Sequence, residues 1–375
     1  MFYFIPGLYL PNTAATNRCM AYLHYLSEQK IETNVVFFSQ NRQGDVMPSM
    51  QSIHVKNLWE KYLFKKGPLR YISMLVNLLL FRLRLKKGDI VYCYENVHYW
   101  KLFLKSGVRV FAEYTENPDV IGLGGKFLHT SKKRFAQCCK QLSGLFVIST
   151  SLKEYFIKLG VDNTSIHIIN IIVDEMRFQG IGKDAETEPY IAYCGSAYNN
   201  KDGVDQLIQA FSLTIKDYPS VKLYIVGANP QKDQACSNEQ LAKDLGLEKN
   251  VVFTGVVSAE RMPQLLTNAK MLVLDRPRNI QAQYGFPTKL GEYLLTGNPT
   301  VLTRVGDMPL FLEDMVSTVF AEPDNPKDFS AKMVWCLKNE EEAKIIGRRG
   351  KEVALKHFSY KTETQKMIDI MFNDQ

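Results

Sequence analysis

The stretch Met271–Thr303, MLVLDRPRNIQAQYGFPTKLGEYLLTGNPTVLT, contains the pattern that decides the fold. Its first four residues form an apolar run, which predicts a buried β-strand. A tight loop at 285–287 leads into a helical pattern, because proline suits the first turn of a helix. Gly297 is typical of a helix end, and a second apolar run starts at Thr300. The stretch therefore predicts a strand–loop–helix–strand unit of a parallel α/β sheet.

The same alternation of apolar runs and helical patterns continues along the whole chain and predicts an α/β protein with doubly wound sheets. A polar, glycine-bearing stretch at 175–189 interrupts it and predicts a domain boundary. We therefore expect domains at 1–178 and 189–355 that face each other across a cleft, with ligands at the carboxyl ends of the strands. The predicted strands are 2–5, 34–38, 90–94, 108–114, 145–148, 166–169, 190–194, 222–226, 251–254, 271–274 and 300–303.

Composition limits the class of protein. The 375 residues suffice for about two domains, and 46% hydrophobic with 23% charged residues is typical of soluble globular chains rather than disordered or fibrous ones. The seven cysteines are scattered without a CxxC pair, which favours reduced cysteines in a cytosolic protein over zinc or disulfide frameworks. The first residues have no basic leader before their short apolar run, so we expect no signal peptide.

The net charge of +7 comes from one segment. Residues 54–87 contain six lysines and three arginines against one acid, and the rest of the chain is nearly neutral. A local excess of this kind argues against a nucleic-acid-binding protein. A basic and apolar helical segment can lie on an anionic membrane surface, but a cross-domain core helix with solvated ends gives the same pattern, and both interpretations stay open.

Several nucleotide and catalytic motifs are missing. The chain has no GxGxxG after a predicted strand, no GxxxxGK[ST], no HExxH and no GxSxG, which argues against dehydrogenases, P-loop enzymes, metalloproteases and α/β-hydrolases. No Asp-x-Asp follows a strand, so a metal-clamped diphosphate site is not expected.

The helix predicted after Phe286 has the residues of a nucleotide site. Its first residues, Pro287, Thr288 and Lys289, offer backbone amides and a positive charge that suit a diphosphate. Glu292 follows one turn later, and its carboxylate could accept hydrogen bonds from the two hydroxyls of a ribose. Ordinary strand–loop–helix packing with a solvated Glu292 explains the same residues equally well.

This stretch resembles the donor-binding signature of the retaining glycosyltransferases of family 4, which have the GT-B fold of two Rossmann-like domains. The usual signature is E-G-F, a second glutamate separated from the first by seven residues, and A-x-G-x-P. Gly285 and Glu292 match it, as do Phe286 and the Gly-x-Pro loop, whereas Tyr284 replaces the first glutamate. The form FPTKLxEYLxxGxP is similar to that of capsule and surface-polysaccharide enzymes. The resemblance implies that Glu292 binds ribose and that position 284 lies near the donor sugar.

A second match begins the C-terminal half, where IAYCGSAYNNKDGVDQLIQAFSLT resembles the strand, G-R-L, K-G and helix of the same family. Lys201 stands at the phosphate-contacting lysine and Ser196 at the usual arginine. The stretch VVFTGVV places Val257 where relatives border the nucleotide base. Residues 356–375 resemble the C-terminal helix that returns toward the first domain.

In the N-terminal half, relatives have a His-Asp or His-Glu pair after the strand that ends near residue 114. Thr115 stands at the histidine position and Glu116 at the acidic one. Glu116 or Glu113 could therefore orient or deprotonate the acceptor hydroxyl, although a loop carboxylate bonded to backbone is an equal alternative. Asn12 and Thr13 stand where relatives have small residues next to the donor.

The resemblance implies an enzyme that transfers a hexose-type sugar from a nucleotide-diphosphate sugar to a glycan or polyprenyl-diphosphate-linked acceptor, with retention, in surface-polysaccharide or capsule biosynthesis. It implies no metal and no cofactor, and a cytoplasmic protein that is peripheral on the inner membrane face. Two alternatives remain open. The chain could be a non-catalytic GT-B partner subunit that binds nucleotide or glycan, since three usual positions are changed, or a sugar-nucleotide epimerase.

Overall fold

The computed structural model describes residues 1–10, 13–39, 47–61, 64, 69–94, 98–121, 131–184, 188–197, 199–228 and 237–373. The chain forms two compact units: Met1–Asn170 together with the segment from Tyr360 onward, and Ile171–Ser359. The division after Asn170 lies before the predicted boundary at 175–189. Residues 171–178, assigned to the N-terminal domain from the sequence, thus belong to the second unit, where Val173 N donates to Phe358 O at 2.8 Å.

The described residues of the first unit build a seven-stranded parallel sheet of order β3-β2-β1-β4-β5-β6-β7. The direction of winding reverses between β1 and β4. The strands are β1 (Phe2–Ile5), β2 (Thr33–Phe37), β3 (Ile53–Asn57), β4 (Ile90–Cys93), β5 (Arg109–Tyr114), β6 (Gly144–Val147) and β7 (Ile166–Ile168).

Helices cover this sheet, and the C-terminal helix is one of them. The helices are α1 (Ala14–Glu28), α2 (Arg70–Arg84), α3 (Pro118–Ile121), α4 (Lys132–Cys139), α5 (Thr150–Lys158) and α15 (Tyr360–Phe372), with 3₁₀ turns at Leu58–Lys61, His98–Phe103 and Asn163–Ser165. The buried carboxylate of Glu363 on α15 accepts a bond from Asn170 N at 2.7 Å, which ties the end of the chain to this unit.

The described residues of the second unit build a six-stranded parallel sheet of order β10-β9-β8-β11-β12-β13. Here the winding reverses between β8 and β11. The strands are β8 (Tyr190–Cys194), β9 (Lys222–Val226), β10 (Val251–Gly255), β11 (Met271–Leu274), β12 (Thr300–Thr303) and β13 (Val319–Ala321).

The helices of the second unit pack on both faces of its sheet. They are α6 (Asn199–Asp202), α7 (Val204–Thr214), α8 (Asn238–Asp244), α9 (Met262–Asn268), α10 (Ile280–Tyr284), α11 (Lys289–Leu295), α12 (Met308–Phe311), α13 (Pro326–Lys338) and α14 (Glu340–His357), with a 3₁₀ turn at Glu175–Phe178.

Both sheets consist mainly of apolar strands that are buried. Strands β1, β4, β6, β11 and β12 are buried at every residue, as expected where helices cover both faces of a parallel sheet. The predicted α/β class with two doubly wound domains is confirmed. Each predicted strand is present with its ends shifted by at most a residue or two, whereas β3 and β13 were not predicted. No described helix is long and apolar enough to span a bilayer.

Candidate functional site

The candidate site lies where the winding of the second sheet reverses. Strands β8 and β11 are neighbours there, and the connections that follow them leave toward opposite sides. A crevice forms at such a position in open parallel sheets, beyond the carboxyl ends of the strands, and ligands bind in it. The loop after β8 leads to Lys201, and the loop after β11 leads through α10 to α11 and Glu292.

A buried carboxylate joins these two loops. Asp202, after β8, forms ion pairs with Lys289 at the start of α11 and with Arg276 after β11, whose Nε lies 3.7 Å from Oδ1. Tyr193 donates its hydroxyl hydrogen to Asp202 Oδ2 at 2.7 Å. Burial alone would raise the pKa of Asp202, but Lys289 and Arg276 hold it below its usual value. The ionised acid therefore fixes two cations at the edge of the sheet.

Two glycines permit this close approach. A Cβ atom at Gly195 would collide with the ammonium group of Lys289 and would lie 2.8 Å from the Tyr193 hydroxyl. A Cβ atom at Gly203 would collide with the carbonyl oxygen of Asp275, and Gly203 has a φ of 57°, which favours glycine. The loop after β8 thus needs glycine at both of its ends.

Glu292 lies on the half-buried side of α11 and forms an ion pair with Arg177 from the 3₁₀ turn at Glu175–Phe178. Arg177 also donates from Nη2 to the carbonyl oxygen of Ala259 at 3.5 Å. The backbone of Gly291 packs so closely on Val173 that a Cβ there would collide. The Glu292 side chain is 22% exposed, so its carboxylate is held in place and is still open to solvent.

A second acid at this edge of the sheet is held uncharged. Asp275 directly follows β11, is 1% exposed, and its Oδ2 has no hydrogen-bond partner among the described residues. Burial, with Asp324 and Asp205 nearby, raises the pKa of Asp275 from 3.8 to about 8. At neutral pH this group is mostly protonated and adds little negative charge to the site.

This raised pKa predicts how stability varies with pH. Unfolding returns Asp275 to a pKa near 3.9, so it releases a proton between pH 4 and pH 8, and the group's contribution falls by up to about 1.4 kcal/mol per pH unit as the pH rises. We expect Asp275→Asn to remove this dependence and to raise the melting temperature relative to the unmodified chain more at pH 8 than at pH 5. As a control, Asp217→Asn changes an exposed acid and should shift the melting temperature equally at pH 5 and pH 8. Equal shifts for Asp275→Asn at the two pH values would contradict the raised pKa of Asp275.

The structure brings several sequence-predicted residues to this edge. Lys201 lies in α6, half-exposed, and its carbonyl oxygen accepts from Arg276 Nε at 3.4 Å. Ser196 is exposed in the loop after β8, and its backbone oxygen lies 3.0 Å from the Tyr193 hydroxyl. Tyr284 ends α10, and Val257 follows β10; both are half-exposed.

The loop before α11 is a packed element. The ring of Phe286 is 5% exposed and lies 5.7 Å from Phe311 and 5.6 Å from Phe358, between ring centroids. The side chain of Phe286 therefore anchors the loop in the core, with Gly285 and Pro287 buried on either side and Thr288 half-exposed. Pro287 O already accepts from Leu290 N at 2.9 Å, which satisfies one amide of the first turn of this seven-residue helix.

Glu113 requires a correction. It was predicted as one of two candidate bases, but its side chain is 0% exposed inside the first unit. It accepts from Arg18 Nε at 2.6 Å, from the Tyr22 hydroxyl at 3.2 Å and from the Tyr92 hydroxyl. Burial alone would lower the pKa of Arg18, but Glu113 raises it above its usual value. Glu113 is thus a buried counter-ion and has no access to an acceptor. Arg18 is its partner.

The other first-unit predictions have different outcomes. Glu116 is half-exposed in the loop after β5, and the preceding Thr115 lies 3.3 Å from the Tyr94 hydroxyl, so Glu116 stays a candidate. Thr13 caps helix α1, accepting from Thr16 N at 3.3 Å. Asn12 lies outside the described residues.

Sequence reasoning missed three residues of the site, namely Arg177, Asp202 and Arg276. Two of them, Asp202 and Arg276, have a signal in the sequence. Asp202 is the direct neighbour of the predicted phosphate lysine, and Arg276 is a charged residue immediately after a fully apolar strand. Charged residues at the carboxyl end of a buried strand are candidates for ligand contacts.

Among the described residues, no group of three or more His, Cys, Asp and Glu side chains could hold a metal ion.

Comparison with known proteins gives a family match over most of this site. Residues 188–339, which include all of its residues except Arg177, match the family described as glycosyl transferases group 1. Among relatives, the mannosylfructose-phosphate synthase of Agrobacterium fabrum is 23% identical over 329 residues, 76% of this chain and 70% of that protein.

Solved structures show the same fold over nearly the whole chain. Anabaena Alr3699/HepE, in complex with UDP-glucose, superposes with a TM-score of 0.74 over 98% of both chains at 16% identity. The lipopolysaccharide outer core galactosyltransferase WaaB superposes with a TM-score of 0.67 over 100% of this chain and 99% of its own, also at 16% identity. The predicted GT-B fold is confirmed. The family 4 subtype, with its retaining chemistry, stays a prediction.

Proposed function

We propose that the chain transfers a sugar from a nucleotide-diphosphate sugar to a glycan or lipid-linked glycan acceptor, with retention at the anomeric carbon. The observation that supports this proposal best is the set of charges at the reversal point of the second sheet. Glu292, Lys201 and Lys289 lie after neighbouring strands. Alr3699/HepE, which has this fold, was solved with a nucleotide sugar bound.

The charge balance at this edge suits a diphosphate. Around Asp202 there are three positive charges, on Lys201, Lys289 and Arg276, against the one negative charge of Asp202, whereas the acids Asp205 and Asp324 act on the neighbouring Asp275. Because the pKa of Asp275 is raised to about 8, that acid removes little of the excess at neutral pH. Fixed positive charge stabilises a departing nucleoside diphosphate in the transition state, when the glycosidic bond breaks and the negative charge on the leaving group grows.

Glu292 is the proposed ribose ligand. Its ion pair with Arg177 engages Oε1 and holds the side chain in one direction. Vicinal ribose hydroxyls are expected to donate to the partly exposed carboxylate, as charge-assisted hydrogen bonds. In the first unit, Glu116 is the proposed residue that orients the acceptor hydroxyl, since Glu113 is enclosed.

The proposal needs no metal ion, because side-chain cations supply the positive charge. We therefore expect about 5 mM EDTA to leave the transfer rate unchanged within about twofold, since three fixed cations offset the negative charge of the leaving group. The rate is measured as nucleoside diphosphate released in the presence of acceptor, with and without added Mg²⁺. Loss of the rate in EDTA and its return with Mg²⁺ would overturn this part of the proposal.

The nucleotide proposal is tested with a thermal-shift screen of nucleoside diphosphates and sugar nucleotides. A ligand at 100 times its Kd stabilises the folded chain by about 2.7 kcal/mol. Lys201→Ala and Glu292→Ala should each reduce the shift. If no nucleotide shifts the melting temperature of the unmodified chain, the proposed donor site is wrong.

Transfer itself is tested by mixing a donor that binds with glycan acceptors. Release of nucleoside diphosphate that depends on acceptor supports a transferase, and the anomeric configuration of the product tests retention. The changes at Tyr284, Ser196 and Thr115 favour one alternative, a partner subunit that binds without transfer. Such a subunit would show a thermal shift but no release of nucleoside diphosphate. An epimerase, by contrast, would form product without acceptor.

The biological setting is part of the proposal. WaaB, which shares the fold, is described as a lipopolysaccharide outer core galactosyltransferase. With the FPTKLxEYLxxGxP pattern, this likeness favours surface-polysaccharide or capsule biosynthesis by a cytoplasmic, peripheral membrane enzyme.

A further inference from the structure

Helix α2 exposes a continuous apolar surface. Six of its large apolar side chains are between 42% and 73% exposed. With a rotation of 100° per residue, they all lie within about 140° of the helix circumference and form one side of it. We call this surface the α2 face, and it consists of Ile72, Leu75, Val76, Leu79, Leu80 and Leu83.

The opposite side of α2 is already anchored to the first unit. Leu78 and Phe81 are buried, and the ring of Phe81 packs edge-on against Tyr3, Phe38 and Phe103, with centroids 5.1 to 5.4 Å apart. A core helix would bury its most apolar side. Here that side is exposed, so α2 does not have the burial pattern of a core helix.

Positive charge surrounds the α2 face. The segment from Leu69 to Gly88 has five basic residues and no acidic one. Arg84 borders the face on the helix, and Lys86 and Lys87 follow directly; all three are exposed. Arg82 borders the other edge and donates to the carbonyl oxygen of Leu102. An apolar stripe flanked by exposed cations is typical of helices that lie in the plane of a membrane interface.

We propose that the α2 face docks on an anionic lipid bilayer, with its leucine, isoleucine and valine side chains among the upper acyl chains and its basic neighbours on lipid phosphates. Charge decides between this occupant and a second copy of the chain. Two α2 faces packed together would bring equal positive charges into contact, which is unfavourable. An anionic bilayer complements both the apolar and the basic parts. The docking does not depend on the sugar-transfer chemistry.

The test is co-sedimentation of the full chain with vesicles of phosphatidylcholine alone and of equal phosphatidylcholine and phosphatidylglycerol. We expect binding to the second kind, and weaker binding as salt shortens the range of the charges. Leu79→Glu with Leu83→Glu should abolish it. Arg84→Gln with Lys87→Gln should weaken it about thirtyfold, from about 1 kcal/mol per basic residue.

A matched control pair lies on α14, where Ile345 and Leu355 are 41% and 44% exposed. Ile345→Glu with Leu355→Glu should bind the vesicles like the unmodified chain. Circular dichroism and the melting temperature check that each variant is folded.

Three results would overturn the docking proposal: no binding of the unmodified chain to anionic vesicles, equal binding of the Leu79/Leu83 variant, or a dimer in sedimentation velocity that this variant dissociates. Failure of the proposed function would look different, since a chain without transferase activity would still bind the vesicles.

Discussion

Glu292→Ala is expected to lower kcat/KM for the donor at least tenfold and to leave the melting temperature nearly unchanged. Loss of hydrogen bonds to a charged group costs about 1.5–3 kcal/mol, which corresponds to roughly ten- to 150-fold. The side chain is 22% exposed and its partner Arg177 is 28% exposed, so neither becomes a buried, unpaired charge. Initial rates over a range of donor concentrations measure the effect.

Two further variants test the reason for this loss. Glu352→Ala, at an exposed glutamate of α14, should retain its rate within about twofold, as surface changes away from a site do. Arg177→Gln should give a smaller loss than Glu292→Ala, because the carboxylate remains but is no longer held in one direction. Full activity of Glu292→Ala would exclude Glu292 from the donor site.

Glu113→Ala is expected to have the largest effect on stability, a fall of about 3–5 kcal/mol in the free energy of unfolding, because it leaves the buried Arg18 without a counter-ion. Arg18 and Glu113 have side-chain exposures of 2% and 0%, and the Tyr22 and Tyr92 hydroxyls lose the same acceptor. Urea unfolding followed by circular dichroism measures the change.

A double variant separates this structural role from catalysis. Glu113→Leu with Arg18→Met removes both charges, and apolar replacement of a buried pair is often neutral, so much of the stability should return. Activity per folded molecule should return with it. A variant at Glu113 that is as stable as the unmodified chain, and yet inactive, would restore the catalytic assignment.

Most of the strands that the sequence predicts are buried at all or all but one of their residues, because they consist largely of apolar residues. Strand β3 lacks an apolar run. It lies at the edge of the first sheet, paired with β2, and His54, Val55 and Lys56 are exposed. Strand β13 is wholly buried, but its apolar run ends after three residues at Glu322, whereas every predicted run has four residues or more. Both strands are defined by hydrogen bonding to a neighbouring strand, which cannot be read from the residues of the strand itself.

The site could be predicted only in part for the same reason. Glu292 and Lys201 lie within motifs that can be read along the chain. The network around Asp202 depends on β8 and β11 becoming neighbours, which brings residues 202, 276 and 289 together. Glu113 shows the opposite failure. An acid on a strand covered by helices on both faces points into packed side chains, and only the sheet shows that β5 is such a strand.

The contacts of α15 set the rules for dividing this protein into expressible pieces. Tyr25 donates to Gln365 at 3.0 Å, Tyr360 donates to Glu28 at 2.9 Å, and the ring of Phe2 lies 5.3 Å from that of Phe372. A fragment that ends at residue 170 would contain Phe2, Tyr25 and Glu28 but would lack the helix that they contact. The first unit should be produced as residues 1–170 joined by a linker to 360–373, whereas the second can be cut out as the continuous fragment 171–359.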